Sequence, residues 1–503
     1  MKSNKGFTGV DIAVAVVILI IFVSVISAMF YNLSVTERRI QRKTEATNTA
    51  IRVIEAMKAV DFSQLTEGMT LNDINNLITN KIEVSNGYKV TVGVDNTKYK
   101  DVVKIISVQV VYQNGKETEN VSIETLVRNL SRINGIHVAL NGTTLGFFIT
   151  EEKAREYADE ENHYFGNIYE AFYTNPNDVP WSLFAQEIKT INFFDQILPT
   201  STSYWFYNFT NLTTINNIEN LNTSQVVNMD SMFNLCSSLT SLNLRSFNTM
   251  NVTSMANMFC DCQSLVNLDI TGFITNKVTN MQGMFARCHD LKELDVSNFD
   301  TSSTTSLQNM FLECRSLEKL DVSEFDTRNV LTLDGLFAYC EKLTSIDVSN
   351  FDTSKVKALS NMFSGCYELT KIDVTDFVTD NVTTMYAMFG NCKKLKQLDL
   401  SNFNTVNVTD MTSMFFQCTS LETLDVSTWK TSKTTKMLNM FYMCENLSVL
   451  DLSSWDTRIV TSMDYMFSHD VKLKTIYIGT NWSTSQASTT LMTYNCPAKF
   501  INK

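Results

Sequence analysis

The sequence is poor in residues that break or loosen a chain. Only 4 prolines and 16 glycines occur among 503 residues, which excludes long flexible linkers and low-complexity tails. Histidine is equally scarce: His137, His163, His289 and His469 lie too far apart for a His-rich metal site. Basic charge is in deficit, with 41 Lys and Arg against 53 Asp and Glu, a net −12. Such a chain binds polyanions poorly, so nucleic acid is excluded as a partner. No G-x-S-x-G, P-loop, G-x-G-x-x-G or H-E-x-x-H motif is present, and no enzyme activity is expected. There is no lipobox cysteine near the start and no C-terminal sorting motif, so the N-terminal segment is the expected anchor.

Apolar residues make up 44% of the chain, enough for sizeable cores, and the length suggests two to four domains. Asn, Thr and Ser are plentiful, as in many repetitive extracellular proteins. Charge is uneven. Residues 1–60 hold eight basic and four acidic side chains, a local +4, so the remainder carries about −16.

Ile12 to Phe30 is a run of 19 residues without a charge. A helix needs roughly 20 apolar residues to cross a bilayer. Thr36–Lys58 follows without Pro or Gly, and Ile40, Ala46, Ala50, Val53, Ile54 and Met57 recur at helical spacing. One long helix over residues 8–59 is predicted, apolar first and amphipathic after. A basic leader, Met1-Lys2-Ser3-Asn4-Lys5-Gly6, precedes Phe7-Thr8-Gly9-Val10-Asp11. This N-terminus resembles that of type IV prepilins. The resemblance implies cleavage by prepilin peptidase between Gly6 and Phe7, methylation of Phe7, and an assembly role for Asp11 among other pilin-like subunits. The family's usual residue at the last position is Glu. A carboxylate at the start of an apolar span is costly unless paired, and a neighbour's cationic N-terminus would pair it. A plain single-span anchor is the alternative.

Residues 87–127 read as strands. Val90, Val92 and Val94 alternate with polar residues, as do Ile106, Val108, Val110 and Tyr112. Asn114-Gly115 is a hairpin signal joining Val102–Gln113 to Lys116–Val127. A helix on a small antiparallel sheet is also how pilin heads are built.

From residue 221 the chain is periodic. A Met-Phe or Leu-Phe pair ends at Phe233, Phe259, Phe285, Phe311, Phe337, Phe363, Phe389, Phe415, Phe441 and Phe467, spaced by 26 without an insertion. Fixed self-similarity of this length means a solenoid. In one repeat, Leu343, Ile346 and Val348 match the core of a leucine-rich repeat; Ile346 and Val348 point inward, Asp347 and Ser349 outward. Leu359–Cys366 is predicted to close the coil as a short helix or turn. The pattern Leu294-Asp295-Val296-Ser297, Phe299-Asp300-Thr301, Met281, Met284-Phe285 and Cys288 resembles the BspA-like leucine-rich repeat surface proteins over residues 180–480. That resemblance implies a surface-exposed protein linked with adhesion.

Four columns of side chains follow from the period. Cys236, Cys262, Cys288, Cys314, Cys340, Cys366, Cys392, Cys418 and Cys444 point one way, so parallel neighbours cannot converge into disulfides, and a buried thiol ladder is expected. Asp470 takes the next slot; Cys260 and Cys496 stand outside the ladder, Cys260 being the expected exposed thiol. Asp269, Asp295, Asp321, Asp347, Asp373, Asp399, Asp425 and Asp451 form an acidic strip beside hydroxyl residues. Each Asp either bonds its neighbours and only supports stacking, or joins a binding strip, assisted by Ca²⁺ at most. No other cofactor or metal is expected. Phe247 to Trp455 and a Thr in every coil, Thr223 to Thr457, are read as core and turn positions.

The expected fold class is α+β: a long transmembrane helix with a small pilin-like antiparallel sheet, then a leucine-rich-repeat-type solenoid of ten 26-residue repeats. The expected divisions are leader 1–6, helix 7–60, sheet domain 61–132, linker and N-terminal capping coils 133–220, solenoid 221–480 and C-terminal cap 481–503. The expected function is adhesion: a single-pass membrane protein, its C-terminal part outside the cell and on a pilus if assembled, binding a host, matrix or cell-surface protein or glycan. A structural pseudopilin of a secretion or DNA-uptake machine is the alternative. Eight near-identical carboxylates suit catalysis poorly, because catalysis needs unequal environments.

Overall fold

The computed structural model describes residues 35–503, except 59, 61–63, 79–80, 96–102, 115–116, 129–134 and 170. Gly6, Phe7, Asp11 and the apolar run Ile12–Phe30 therefore lie outside the described residues. Among the described residues no helix is long and apolar enough to cross a membrane. The chain forms two compact units, 1–133 and 134–503.

The first unit contains helix α1 over residues 35–58. Ala46, Ala50, Val53, Ile54 and Met57 are fully buried, as the 3.6-residue spacing requires, whereas Ile40 is 60% exposed and lies off that face. A short helix α2, Leu71–Leu77, starts with a Thr70–Asp73 capping box. The sheet holds β1 (Tyr88–Asp95), β2 (Val103–Asn114) and β3 (Glu117–Arg128), all antiparallel. Asn114 pairs with Glu117, so the hairpin turns one residue later than the Asn114-Gly115 loop that the sequence predicts. Val92, Val94, Ile106, Val108 and Val110 fill one face. The helix is tied to the sheet by Arg39–Glu119 at 2.9 Å, by Tyr88 Oη donating to Glu45 at 2.9 Å, and by Arg42 on the Gln113 carbonyl.

The second unit opens with β4 (His137–Asn141) and β5 (Thr144–Phe148), a hairpin turning at Gly142. Helix α3 (Glu151–Tyr157) buries Ala154 against Ala139 and Phe148. Strand β6 (Tyr164–Asn167) pairs antiparallel with β4, while β7 (Thr190–Phe193) and β8 (Thr214–Asn216) continue from β5 in parallel. The change from antiparallel to parallel at β5 is where stacking of coils begins. Residues 133–220 thus hold a five-stranded sheet as well as the first coils.

From there each coil lies on the last. Parallel bridges link twelve residues from Ser201 to Ser488, so the stack has twelve coils, extending beyond the ten repeats on both sides. Named strands occur toward its ends: β9 (Ser241–Asn243) with β10 (Asn267–Asp269), β11 (Gln397–Leu398) with β12 (Thr423–Leu424), and β13 (Val449–Leu452), β14 (Thr475–Ile478) and β15 (Lys499–Asn502). The fold is a β-solenoid. No helix closes the coils; the Leu359–Cys366 side consists of turns. The reason is backbone. Two left-handed residues recur in each coil, four apart, such as Asn309 and Glu313 at φ 56° or Gly335 and Tyr339 at φ 63° and 57°. Left-handed φ interrupts an α-helix, and Asn or Gly adopts it at least cost.

The core is continuous from Ile136 to Ile476. The Met-Phe rings stack face to face from coil to coil, as in Phe311–Phe337 at 5.9 Å and Phe337–Phe363 at 5.8 Å. The Thr column is buried, and each hydroxyl spans two coils: Thr353 Oγ1 donates to the Val378 carbonyl at 2.9 Å and accepts the Val378 N–H at 2.7 Å. The hydroxyl thus satisfies two backbone groups that the coil's turn would otherwise orphan.

Candidate functional site

The strand side of each coil alternates with period two. Ile346 and Val348 are buried and Asp347 between them is exposed; Asp295, Asp321, Asp399 and Asp425 repeat this, while Asp269 and Asp451 are half-buried and Leu268 and Ile372 only partly buried. This sets the eight acids in one outward column, with Asn243 and Tyr477 at its ends. Each carboxylate has a local duty. Asp347 Oδ1 accepts Ser349 N–H at 3.0 Å and Ser349 Oγ at 2.7 Å. Asp269, Asp295, Asp321, Asp373 and Asp425 use the same pair of donors two residues on. Asp399 and Asp451 accept the N–H of Ser401 and Ser453, each at 3.0 Å. The hydroxyl bond, helped by the backbone N–H, holds Asp269, Asp295, Asp347, Asp373 and Asp425 below the ordinary carboxylate range. In Asp399 the N–H of Ser401 does most of this. Neighbouring acids push the other way: Asp295 raises Asp269, and Asp373 raises Asp347.

Oδ1 is therefore occupied, and from Asp269 to Asp425 Oδ2 makes no hydrogen bond among the described residues. A second outward column lies two residues earlier, Ser241, Asn267, Glu293 and Lys319. Sequence reading overlooked it, although the period-two alternation that placed the acids places these too. The two columns border a concavity of about 680 Å³, with Asn243, Asp269, Asp295, Asp321, Glu293 and Lys319 around it. It offers carboxylate acceptors, one ammonium and amides to a polar ligand spanning several coils. Among the described residues no three His, Cys, Asp or Glu are grouped to hold a metal ion.

The cysteines lie inside. All nine of the column are free and buried, and each thiol donates to a Phe carbonyl of the preceding coil, as Cys340 to Phe311 at 3.2 Å and Cys366 to Phe337 at 3.2 Å. Burial pushes Cys314, Cys366 and Cys418 up to about 12. Such thiols are unreactive. Cys260 is half-buried and pushed up to about 12, first by burial and then by Asp261. Cys496 requires a correction. It lies 26 residues beyond Asp470, in register with the ladder, and its N–H bonds Thr493 as Cys340 bonds Phe337. It is the outermost rung among the described residues, half-buried because none of their coils covers it, and its thiol rises only to about 11. Asp470 fills the rung between. Its Oδ1 accepts the Cys444 N–H at 2.8 Å, its Oδ2 is buried without a partner, and burial drives its carboxyl far upward.

Fold and face together define a β-solenoid built of near-identical 26-residue coils with one polar strand face. The family described as "Mycoplasma protein of unknown function, DUF285" matches residues 182–294, 284–398 and 367–482. These segments cover more than half of the chain, which belongs to this family. The match does not reach residues 1–181, so it carries no support for the prepilin-like segment. No curated protein and no solved structure matches the chain.

Proposed function

We propose that this chain is a surface-displayed binding protein whose strand face takes an extended polar ligand, a host, matrix or cell-surface protein or glycan. The observation that carries the reading is the column of carboxylates, of which Asp269 to Asp425 each keep Oδ2 uncommitted, beside a concavity of about 680 Å³. Repetition suits adhesion, because weak contacts in successive coils add along one ligand. It suits catalysis poorly, since Asp295, Asp321 and Asp347 share one environment. Membership of a repeat-solenoid family supports surface display. A prepilin-like segment would supply the anchor in a membrane or filament, with prepilin peptidase processing it between Gly6 and Phe7. Ca²⁺ would enter only as a bridge between the ligand and the carboxylate column.

The test is binding of the full chain to immobilised matrix proteins, glycans and intact cells. Saturable binding that falls at least tenfold in Asp295→Asn/Asp321→Asn supports the reading. Binding unchanged by both substitutions overturns the strand-face assignment. Mass spectrometry of the mature N-terminus tests the anchor: N-methylated Phe7 supports it, and a chain retaining Met1–Gly6 overturns it.

A further inference from the structure

The two ends of the solenoid are finished differently. At the N-terminal end, antiparallel β4 and β6 and helix α3 adjoin the first parallel strand, β5. At the C-terminal end β15 pairs, among the described residues, only with β14, and all four of its residues are exposed. Lys499 N–H donates to Lys474 O at 3.0 Å and Lys503 N–H to Ile478 O at 2.9 Å. In a parallel ladder alternate residues bond alternate sides, so the N–H and C=O of Phe500 and Asn502 face the outer edge. Among the described residues no strand pairs there. The core is open beside it: Trp482, Met492, Cys496 and Ala498 are only partly buried, and Leu491, Tyr494 and Ile501 are exposed. An unpaired edge with an apolar flank is a template for strand addition.

Charge indicates what kind of strand. Residues 471–503 contain Lys472, Lys474, Lys499 and Lys503 and no Asp or Glu, in a chain of net −12. Lys503 already bonds the Asp451 carboxylate two strands below, which is what an acid in that column does for the lysine. Two-fold pairing of β15 with its copy would set lysine against lysine, which is unfavourable.

We propose that the outer edge of β15 takes a parallel β-strand from a partner protein, with acids opposite Lys499 and Lys503 and apolar residues opposite Phe500 and Asn502. This edge lies at the end of the stack, away from the concavity around Asp269, Asp295 and Asp321, although Lys499 and Ile501 continue the columns of the polar strand face.

The probe is a fluorescent heptapeptide, Ser-Asp-Val-Thr-Leu-Asp-Ser, titrated with the full chain and read by anisotropy. Saturable binding is expected, weakening as salt rises, with the Asp-to-Lys peptide at least tenfold weaker. Asn502→Pro removes an outward N–H and no bond to β14, so it should lower affinity at least tenfold with an unchanged melting temperature. If that variant melts early, Lys499→Glu on the exposed edge carries the test and should weaken binding several-fold. No saturable binding, equal binding of the two peptides, or binding untouched by either substitution overturns the proposal. An Asn502→Pro-sensitive dimer in sedimentation also overturns it, because the edge would then belong to a second copy.

Discussion

The coil around Phe337 and the last coil share one 26-residue register, yet they behave as different environments. Phe337 has a ring on each side, its coil's Cys340 is sealed, and Thr353 is bonded to the coil above. In the last coil the equivalent of the Phe is Thr493, Cys496 is half-buried, and Leu491 and Tyr494 stand 48% and 56% exposed. The same rung position is inert core in one place and reachable surface in the other. In a solenoid, burial is supplied by neighbours rather than by the coil itself.

The contrast is broken most severely at the middle. Phe337→Ala removes a ring from between two others and should cost about 3–5 kcal/mol, measured as a shift in denaturation midpoint. The equivalent Phe467→Ala, nearer the open end, should cost less, because only one Phe ring of its column stacks on it. Equal costs would mean that the last coils are as well supported as the middle.

Thr353→Val tests the hydroxyl ladder. It leaves the Val378 N–H without its partner, so a loss of about 1–3 kcal/mol is expected. The loss should be mirrored by faster amide exchange in the two coils it joins.

Asp470→Asn should do the opposite. The amide keeps the bond from Cys444 N–H and presents a donor where the other rungs present a thiol. Removing a buried group without a partner for Oδ2 should stabilise by about 1–2 kcal/mol near neutral pH. The sign follows from linkage. The folded carboxyl is raised, so the native state holds its proton more tightly and stability declines as pH rises through the unfolded value of 3.8. The variant should lose that slope.

Thiol labelling gives a graded readout. Cys496 should react first, Cys260 next, and the nine buried thiols only as the protein unfolds. Rapid labelling of Cys340 in the native protein would contradict a sealed interior.

Ser349→Ala should have the smallest effect, a few tenths of a kcal/mol, because Asp347 is exposed and keeps its backbone bond. Asp347 is depressed, so its contribution is present above the unfolded value of 3.8 and lost as pH falls through the folded one. The substitution should therefore flatten the acid side of the stability curve slightly.

Much of this was legible because side-chain periods are strict. The 3.6-residue spacing marked Ala46, Ala50, Val53, Ile54 and Met57 as one buried helix face, and failed only at Ile40. The alternation in Val90–Val94 and Ile106–Tyr112 placed the sheet, and Asn114-Gly115 placed its hairpin to within one residue. What was missed has a physical reason in each case. That the coils close by turns, where the sequence left a short helix or a turn open, depends on left-handed backbone at positions holding Glu313 or Tyr339, residues that do not advertise positive φ. The eleventh rung at Cys496 was hidden because Asp470 interrupts the chemistry of the column without interrupting its period. The covered and open ends could not be read from spacing, because a strand's pairing partner lies elsewhere in the chain.

The sequence by itself determined the period, the inward and outward sense of each residue, and the polar character of the strand face, since these follow from local covalent geometry repeated every 26 residues. Tertiary structure alone decided which rungs are sealed, that each Asp spends one oxygen on its own turn, and that no strand among the described residues pairs with the outer edge of β15. Those properties belong to the stack, where burial and hydrogen bonding are set by what lies above and below.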